Sequence, residues 1–374
     1  MEHAVIAGYC RSPFDFAHKG ALARVRPDTL AAKVIRGLVR NSGINPTQIE
    51  DLLCGCAFPE GEQGLNMARM LVFLSRLPDC IPGATINRWC GSSMQTVHMA
   101  SGSIAMGAGE AFICAGVESM SRIPMMGYNP LPNPKLYKEN ARIYMSMGET
   151  AEVVAEHYNI SRDAQEAFAV SSQQKALHAQ QEGLLSDEII PLEELQQDGC
   201  IRGETSAEGL AGLNPAFVSD GSVTAGTSSP LTDGAAAVLV CAESYARRHN
   251  LPILARIKTV AVAGCAPEVM GMGPVAASRK ALQRAGLNSS DLDIIELNEA
   301  FASQALACSR ELELDPDKIN LHGGAIALGH PLGASGARIV GKAASLLQQT
   351  GGQYALATQC IGGGQGIATL LEAI

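Results

Sequence analysis

The strongest constraint on the fold of this chain is an internal duplication. Residues 33–51 and residues 276–294 each form the pattern of an amphipathic helix that ends at a glycine, followed by Asn, a short polar turn and an apolar run. The two glycines, Gly43 and Gly286, are separated by an offset of 243 positions, and glycine at this place supplies a left-handed helix cap. The repeat predicts two similar α/β halves.

The same offset continues along the chain. It pairs Cys90 with Gly333, both in Gly/Ser-rich turns that enter a helix, and it pairs the apolar run 112–115 with the apolar run 355–358. One helix–glycine–strand unit can recur by chance in α/β proteins, whereas three successive units in register argue against chance. Because the apolar runs do not alternate with polar residues, we expect buried, mostly parallel sheets and an active site where the halves meet.

Beyond this point the first half contains a long insertion. The next apolar strand lies near Ile367 in the second half, close behind its predecessor, but only near Ala236 in the first half. The extra residues, roughly 119–228, begin rich in proline and continue into a polar helix around 149–182. The predicted domains are an N-terminal half of residues 1–118 with 229–250, an inserted domain of residues 119–228, and a C-terminal half of residues 251–374.

Composition and charge exclude several classes of protein. The chain is 47% hydrophobic and 17% charged, which provides for a packed core and argues against disorder. A net charge of −9 and an aromatic content of 4% argue against a nucleic-acid partner. No run approaches the roughly 20 apolar residues of a membrane span, so no membrane partner is expected. A small anionic ligand would need a local cluster of cations.

Cysteine usage indicates the cellular compartment. The chain has 11 cysteines, an odd number without the spacing of a disulfide framework, and this is typical of free thiols in a reducing, cytoplasmic environment. Cys54 and Cys56 are too close together for the usual zinc knuckle, and no second Cys-x-x-Cys pair follows. We therefore expect no metal site.

Cys90 is the first candidate for catalysis. It lies in the segment 87–95, just before an amphipathic helix. The unpaired N–H groups and the dipole at a helix N-terminus stabilise an anion, so this position predicts a lowered thiol pKa and a reactive thiolate. The alternative interpretation is an inert core cysteine, which is the usual state of a buried thiol.

Two further candidates follow in the second half. Asn298 follows an apolar strand, at the end where α/β sheets place ligand-handling residues, and it can orient a water or a carbonyl oxygen or simply cap a helix. His330 lies between Gly329 and Pro331 in the glycine-rich segment 323–337. A histidine held by such neighbours can deprotonate a thiol or donate to an oxyanion, whereas His322 lacks that frame and is interpreted as structural.

Cys360 is the fourth candidate and opens a glycine-rich run, 360–366. Only eight residues follow Gly366, so the helix and acidic ribose partner of a dinucleotide site are excluded. What remains is a second cysteine on a turn whose N–H groups can face a ligand oxygen. A hydrolase needs one nucleophile with a base, while a second thiol suits a reaction that also moves a proton to or from carbon.

At these residues the sequence resembles the thiolase family, essentially from end to end. The resemblance rests on segments in the family's order, which are 87–95, 223–226 with 233–236, 298–302, 323–338 and 360–366. It implies an α/β fold with two similar halves in a five-layer α-β-α-β-α arrangement. It also implies that the insertion is a loop domain that binds coenzyme A.

The resemblance also implies residue roles. Cys90 would carry the acyl group as a thioester, and His330 would take its proton. Cys360 would protonate the acetyl-CoA enolate on cleavage or remove the α-proton on condensation. His330 and a water on Asn298 would form one oxyanion hole, and the backbone N–H groups of Cys90 and Gly362 would form the other.

Contacts to coenzyme A are implied in the same way. Ser229 matches a position that contacts the pantetheine, Phe301 and Met147 match positions that line its tunnel, and Arg202 is a candidate for the nucleotide end. No prosthetic group is expected, since CoA and acyl-CoA are substrates. The resemblance implies that the chain forms a homodimer or a homotetramer. It also implies a partner in a β-oxidation multienzyme complex.

Departures from the family pattern bear on the substrate. Biosynthetic acetoacetyl-CoA thiolases carry His where Ser146 stands here, and their preceding stretch is longer than residues 122–144. Both features favour a 3-ketoacyl-CoA thiolase of fatty-acid β-oxidation that cleaves with CoA; Met270 matches a residue that bounds the acyl end, and Trp89 could narrow the site. The alternatives are an acetoacetyl-CoA-specific enzyme running the condensation, a carrier-protein-dependent ketosynthase and a non-catalytic acyl-CoA-binding homologue.

Overall fold

The computed structural model describes residues 2–374, and these residues form ten β-strands and twelve α-helices. The strands are β1 (Ala4–Arg11), β2 (Asp15–Phe16), β3 (Asp51–Gly55), β4 (Gly83–Ile86), β5 (Ala111–Ser119), β6 (Thr232–Ala242), β7 (Ala255–Gly264), β8 (Ile294–Leu297), β9 (Tyr354–Ile361) and β10 (Gln365–Glu372). The helices are α1 (Pro27–Ser42), α2 (Met67–Leu74), α3 (Ser92–Ala105), α4 (Pro134–Glu139), α5 (Met147–His157), α6 (Arg162–Gln181), α7 (Ala207–Ala211), α8 (Glu243–Arg248), α9 (Gly273–Ala285), α10 (Ala302–Glu311), α11 (Ala325–Leu328) and α12 (Leu332–Thr350).

The predicted duplication is visible in the strand order. The sheet runs β4-β3-β5-β6-β1-β7-β10-β9-β8, so β3-β5-β6-β1 in the first half repeats as β8-β9-β10-β7 in the second. The two halves join edge to edge where Val5 pairs with Arg256 and Ile6 pairs with Ala255. Each half folds around the same helix–glycine–strand unit, and both predicted helix caps are left-handed, with φ of 71° at Gly43 and 69° at Gly286.

The expectation of mostly parallel sheets is wrong. Within residues 2–374, parallel pairing joins only β3 to β4, β3 to β5 and β8 to β9, and the other strand pairs are antiparallel. The error arose because β5 and β6 are buried along their whole length and mostly apolar, which is typical of strands covered on both faces. Here helices cover both faces of antiparallel strands as well.

The layers follow the predicted five-layer arrangement. Helices α3 and α12 pack against each other and against strands of both halves, while α1 and α2 cover the outer face of the first half and α9 covers that of the second. The central helices approach closely because glycine leaves room, since a Cβ built on Gly336 would lie 2.3 Å from the backbone nitrogen of Met94. The two central helices, α3 and α12, are therefore close together, and residues at their N-terminal ends can contribute to the same site.

The segment between β5 and β6 contains α4 to α7. The polar helix predicted around residues 149–182 is two helices, α5 and α6, rather than one. The chain turns at Asn159, whose φ is +52°, and Ser161 caps α6 by accepting a hydrogen bond from the N–H of Ala164 at 3.3 Å. No helix among the residues described is long and apolar enough to cross a membrane.

Buried ion pairs attach this segment to the first half. The guanidinium of Arg11 on β1 contacts Asp198 at 2.6 Å and Glu188 at 2.8 Å, and all three side chains are buried. Lys342 of α12 reaches the other oxygen of Glu188 at 2.8 Å. Removing one partner would leave an uncompensated buried charge, which is strongly destabilising. These contacts therefore fix the segment on the two halves.

Candidate active site

Cys90 lies in the turn between β4 and α3, with Gly91 as the helix cap. Burial raises the pKa of its thiol to about 11, and the buried carboxylate of Glu118 adds to the rise. The backbone N–H groups of Gly362 and of Cys90 itself point toward the sulfur and oppose it. The predicted lowering of this pKa is therefore wrong, because the loss of solvation outweighs the N–H groups around the thiol.

The hairpin between β9 and β10 brings Gly362 to Cys90. Its turn requires left-handed backbone at Gly363 and Gly364, with φ of +74° and +81°, which only glycine adopts without strain. The side-chain amide of Gln359, on β9, donates a hydrogen bond to the carbonyl of Cys90. The second-half hairpin is thus fastened to the first-half turn that carries the nucleophile candidate.

Cys360, at the end of β9, is buried in an apolar cluster. The cluster contains Met147, Ala151, Val223, Met270, Ala300 and Phe301. Burial raises the thiol pKa well above its ordinary value, and a negative charge on Cys90 would raise it further. The two thiols are thus electrostatically coupled across the junction of the halves, and Cys360 holds its proton at neutral pH.

His330 is held on all sides, as the sequence predicted. Its backbone N–H donates to Thr232 at 3.0 Å, and Gly329 before it has a φ of +103° with no room for a Cβ. The ring Nδ1 is 2.6 Å from the hydroxyl of Ser335, and Nε2 is 3.4 Å from the amide nitrogen of Asn298. Burial lowers the pKa of His330 to about 3, so the imidazole is neutral at pH 7.

The hydrogen bonds of Ser335 indicate which ring nitrogen can act as a base. Its hydroxyl also lies 3.4 Å from the carbonyl of Pro331 and can donate there. It then accepts the Nδ1 proton of His330, which leaves Nε2 unprotonated; this tautomer is assigned from the hydrogen-bond network. A base at Nε2 can receive a thiol proton.

Asn298 directly follows β8, and its side chain lies beside the imidazole of His330. Its backbone N–H donates to the carbonyl of Thr358 at 3.0 Å, which sets the side chain beside the imidazole. The amide oxygen is buried and has no hydrogen-bond partner within the described part of the chain. A buried polar atom without a protein partner is the kind of group that holds an ordered water.

Two site residues were missed by the sequence analysis. Ser335 orients His330, and its position five residues further along the same glycine-rich segment was an available signal. Glu118 is the last residue but one of β5. Its carboxylate accepts hydrogen bonds from Gln63 at 2.7 Å, from the N–H of Ala57 at 2.8 Å and from the N–H of Gly333 at 3.0 Å. A carboxylate near the end of a buried, mostly apolar strand was the signal for this link between the halves.

The residues expected to contact coenzyme A divide into two groups. Phe301 and Met147 contact the cluster around Cys360, and the N–H of Ser229 donates to the carbonyl of Ala300 at 3.0 Å, so these three are brought together. Arg202 forms the second group and is not part of this cluster. It is half-buried, and its backbone N–H donates to the side-chain oxygen of Gln173 on α6. Within residues 2–374, no group of three or more His, Cys, Asp or Glu side chains is placed to hold a metal ion.

Comparison with known proteins identifies the family of this chain. The chain matches the thiolase N-terminal domain over residues 4–244 and the thiolase C-terminal domain over residues 251–373. The 3-ketoacyl-CoA thiolases of Bacillus subtilis and Shewanella denitrificans are 44% and 46% identical to it, and each alignment covers 100% of both chains.

Solved structures give the same result. Human mitochondrial 3-ketoacyl-CoA thiolase in complex with CoA has a TM-score of 0.92 and 36% identity, covering 100% of this chain and 98% of that one. The Bacillus anthracis acetyl-CoA acetyltransferase also has a TM-score of 0.92 and 36% identity, covering 100% of this chain and 99% of that one. The chain therefore belongs to the thiolase family of acyltransferases.

Proposed function

We propose that the protein is a 3-ketoacyl-CoA thiolase, which uses CoA to cleave 3-ketoacyl-CoA into acetyl-CoA and a shortened acyl-CoA. The observation that carries this proposal is the pair of thiols, Cys90 and Cys360, which interact across the junction of the halves. The imidazole of His330 is neutral and is proposed as their base. One thiol can accept an acyl group while the other exchanges a proton with carbon. The names of the full-length relatives support the same reaction.

The first half-reaction forms the acyl-enzyme. Nε2 of His330 takes the proton of Cys90, and the sulfur attacks the 3-keto carbon of the substrate. The N–H groups of Cys90 and Gly362 stabilise the oxyanion of the adduct, and each such donor can contribute about 2.7–4 kcal/mol. The C–C bond then breaks, and the carbon of the departing acetyl-CoA enolate takes the proton of Cys360. Protonated His330 and a water on Asn298 stabilise the enolate oxygen.

The second half-reaction transfers the acyl group to CoA. The Cys360 thiolate takes the thiol proton of the incoming CoA, whose sulfur attacks the thioester carbonyl on Cys90. Collapse of this adduct breaks the bond to Cys90, and the departing sulfur recovers the proton held by His330. Both cysteines and the histidine return to their starting protonation states.

The pKa shifts predict a nearly pH-independent acylation rate. The Cys90 pKa is raised to about 11 and the His330 pKa is lowered to about 3, so the productive thiol–imidazole pair persists between these values. Single-turnover acylation by acetyl-CoA, followed by rapid quench, is expected to vary less than about threefold from pH 5.5 to pH 9. A tenfold rise per pH unit would contradict the neutral pair and show that a pre-formed thiolate is the reacting species.

Coenzyme A is proposed to enter along the inserted domain, residues 119–228. Met147 and Phe301 line the apolar cluster that contains Cys360, which suits a pantetheine arm. The Nε of Arg202 is buried without a hydrogen-bond partner in the part of the chain described, so this cation is available to a phosphate at the nucleotide end. Ser229, held against Ala300, is proposed as a pantetheine contact.

Substrate length separates the proposal from its main alternative, an acetoacetyl-CoA-specific enzyme that runs the condensation. Ser146 caps α5 through a capping box with Glu149, so this position serves the helix and supplies no imidazole to the tunnel. We expect kcat/KM for thiolysis of 3-ketooctanoyl-CoA to equal or exceed that for acetoacetyl-CoA. A strong preference for acetoacetyl-CoA, about 10²-fold or more, would favour the alternative.

A homodimer through the β4 edge is proposed. Throughout residues 2–374, β4 pairs only with β3, and the helix that packs against it, α2, carries exposed apolar side chains on it and just before it. These are Leu65, Met70, Phe73 and Leu74. An unpaired strand edge beside apolar side chains is suited to a second copy of the chain. A tetramer and a β-oxidation multienzyme partner remain predictions from the resemblance.

The location proposed for the protein is the cytoplasm. All 11 cysteines are free, which supports a reducing environment.

A further inference from the structure

Trp89, the residue before Cys90, has an unusual backbone conformation. It is the chain's single tryptophan, and its φ is +43°. A bulky residue in the left-handed region is a conformational outlier, and such outliers cluster at functional sites where neighbouring contacts enforce them. The conformation therefore calls for both a cause and a use.

Local hydrogen bonds enforce the conformation. The N–H of Trp89 donates to Oδ1 of Asn87 at 2.8 Å. Its carbonyl accepts from the N–H of Ser92 at 3.0 Å and from the Ser92 hydroxyl. The guanidinium of Arg88, the residue before Trp89, donates to the side-chain oxygen of Gln365 in the hairpin at 2.9 Å. The turn is thus fixed at both peptide groups that flank Trp89.

The consequence of this backbone is that the indole lies on the glycine hairpin. A Cβ built on Gly362 would be 3.2 Å from Cε3 of Trp89, and one built on Gly363 would be 2.4 Å from Cζ3. The sulfur of Met147 is 3.6 Å from the same point on Gly362. The indole and the methionine therefore both contact the turn.

Core packing does not account for this placement, because Trp89 remains 39% exposed. A turn built from Gly362, Gly363 and Gly364 has unusual backbone freedom, yet the Gly362 N–H must stay directed at the Cys90 sulfur. Of the side chains nearest to Gly362 and Gly363, the indole is the largest. We therefore attribute the placement of Trp89 to its contact with the 362–364 turn rather than to burial of its side chain.

We propose that Trp89 is a positioning residue whose indole holds the 362–364 turn in place and so keeps the Gly362 N–H aimed at the acyl oxygen on Cys90. The inference rests on the proposed function, because it assigns a support to the oxyanion donor named there. It predicts that the residue before the nucleophile controls the strength of a hydrogen bond to the acyl-enzyme carbonyl.

The test uses three substitutions at one position. W89F keeps a flat ring, W89A removes the ring but keeps the backbone cost of a positive φ, and W89G removes both. Each enzyme is acylated with [1-13C]acetyl-CoA and freed of CoA. Isotope-edited infrared spectroscopy then gives the stretching frequency of the thioester carbonyl, which rises when a hydrogen bond to the oxygen is lost.

The expected result is a higher carbonyl frequency in both W89A and W89G, with W89F close to the parent enzyme. In parallel kcat/KM should fall about tenfold or more in W89A and W89G, since loss of an oxyanion donor costs about 10²- to 10³-fold. A carbonyl frequency in W89G equal to that of the parent enzyme would overturn the proposal. If the frequency rose in W89A alone, the effect would be assigned to backbone strain. If the parent enzyme forms no acetyl adduct at all, the proposed function itself fails.

Discussion

Replacing Cys360 with alanine is expected to leave acylation of Cys90 by acetyl-CoA intact while slowing C–C bond exchange by about 10⁴-fold, the upper range for a positioned general acid or base. Acylation by acetyl-CoA reverses the second half-reaction, so Cys360 acts in it only by returning a proton to the departing CoA sulfur. A thiol has an ordinary pKa of about 8.5, so the CoA thiolate can leave without that proton. Carbon–carbon exchange also requires proton transfer at the α-carbon. Trapped acetyl-enzyme measured by mass spectrometry, beside acetoacetyl-CoA thiolysis, separates the two steps.

A matched control is Cys114→Ala, which removes another fully buried thiol, from the middle of β5. Both steps should survive in this control at close to the parent rates. Loss of acylation together with exchange in a folded Cys360→Ala enzyme would contradict the assigned role. Exchange at the parent rate without Cys360 would contradict it equally.

Replacing His330 with alanine is expected to slow both half-reactions. Acylation loses the base that takes the Cys90 proton, a loss of about 10²- to 10⁴-fold. C–C bond cleavage also loses a donor to the enolate oxygen, which multiplies the effect. Rapid-quench measurement of acetyl transfer to the enzyme and steady-state thiolysis report the two losses separately.

His322→Ala is the control for this experiment. His322 lies in the same part of the chain, and burial lowers its pKa to about 4, so it is another neutral, partly buried imidazole. Its loss should leave acylation within about threefold of the parent rate. If removal of His322 slowed acylation as much as removal of His330, the base would be wrongly assigned.

The layout of the fold could be predicted from the sequence because the information is local and repeated. Each copy of the helix–glycine–strand unit carries its own stop signal, and the offset between Gly43 and Gly286 carries β3 onto β8 and β5 onto β9. The direction in which β6 and β10 pair could not be obtained in this way, because an apolar strand covered on both faces has the same composition in either direction.

The candidate site shows a similar division. Cys90, His330 and Cys360 could be proposed from short segments whose glycines and prolines fix a turn. The pKa of Cys90 could not, because it depends on burial by residues distant in sequence and on Glu118. Ser335 was missed for a related reason, since its contact with His330 depends on how α12 begins.

The central claim is that Cys90, and not Cys360, carries the acyl group. The most direct measurement is to mix the enzyme with acetyl-CoA, quench in acid, digest with protease and locate the acetyl group by mass spectrometry. The account predicts a single acetyl thioester per chain, on the peptide that contains Cys90. An acetyl group on Cys360, or acetylation spread over several of the cysteines, would contradict it.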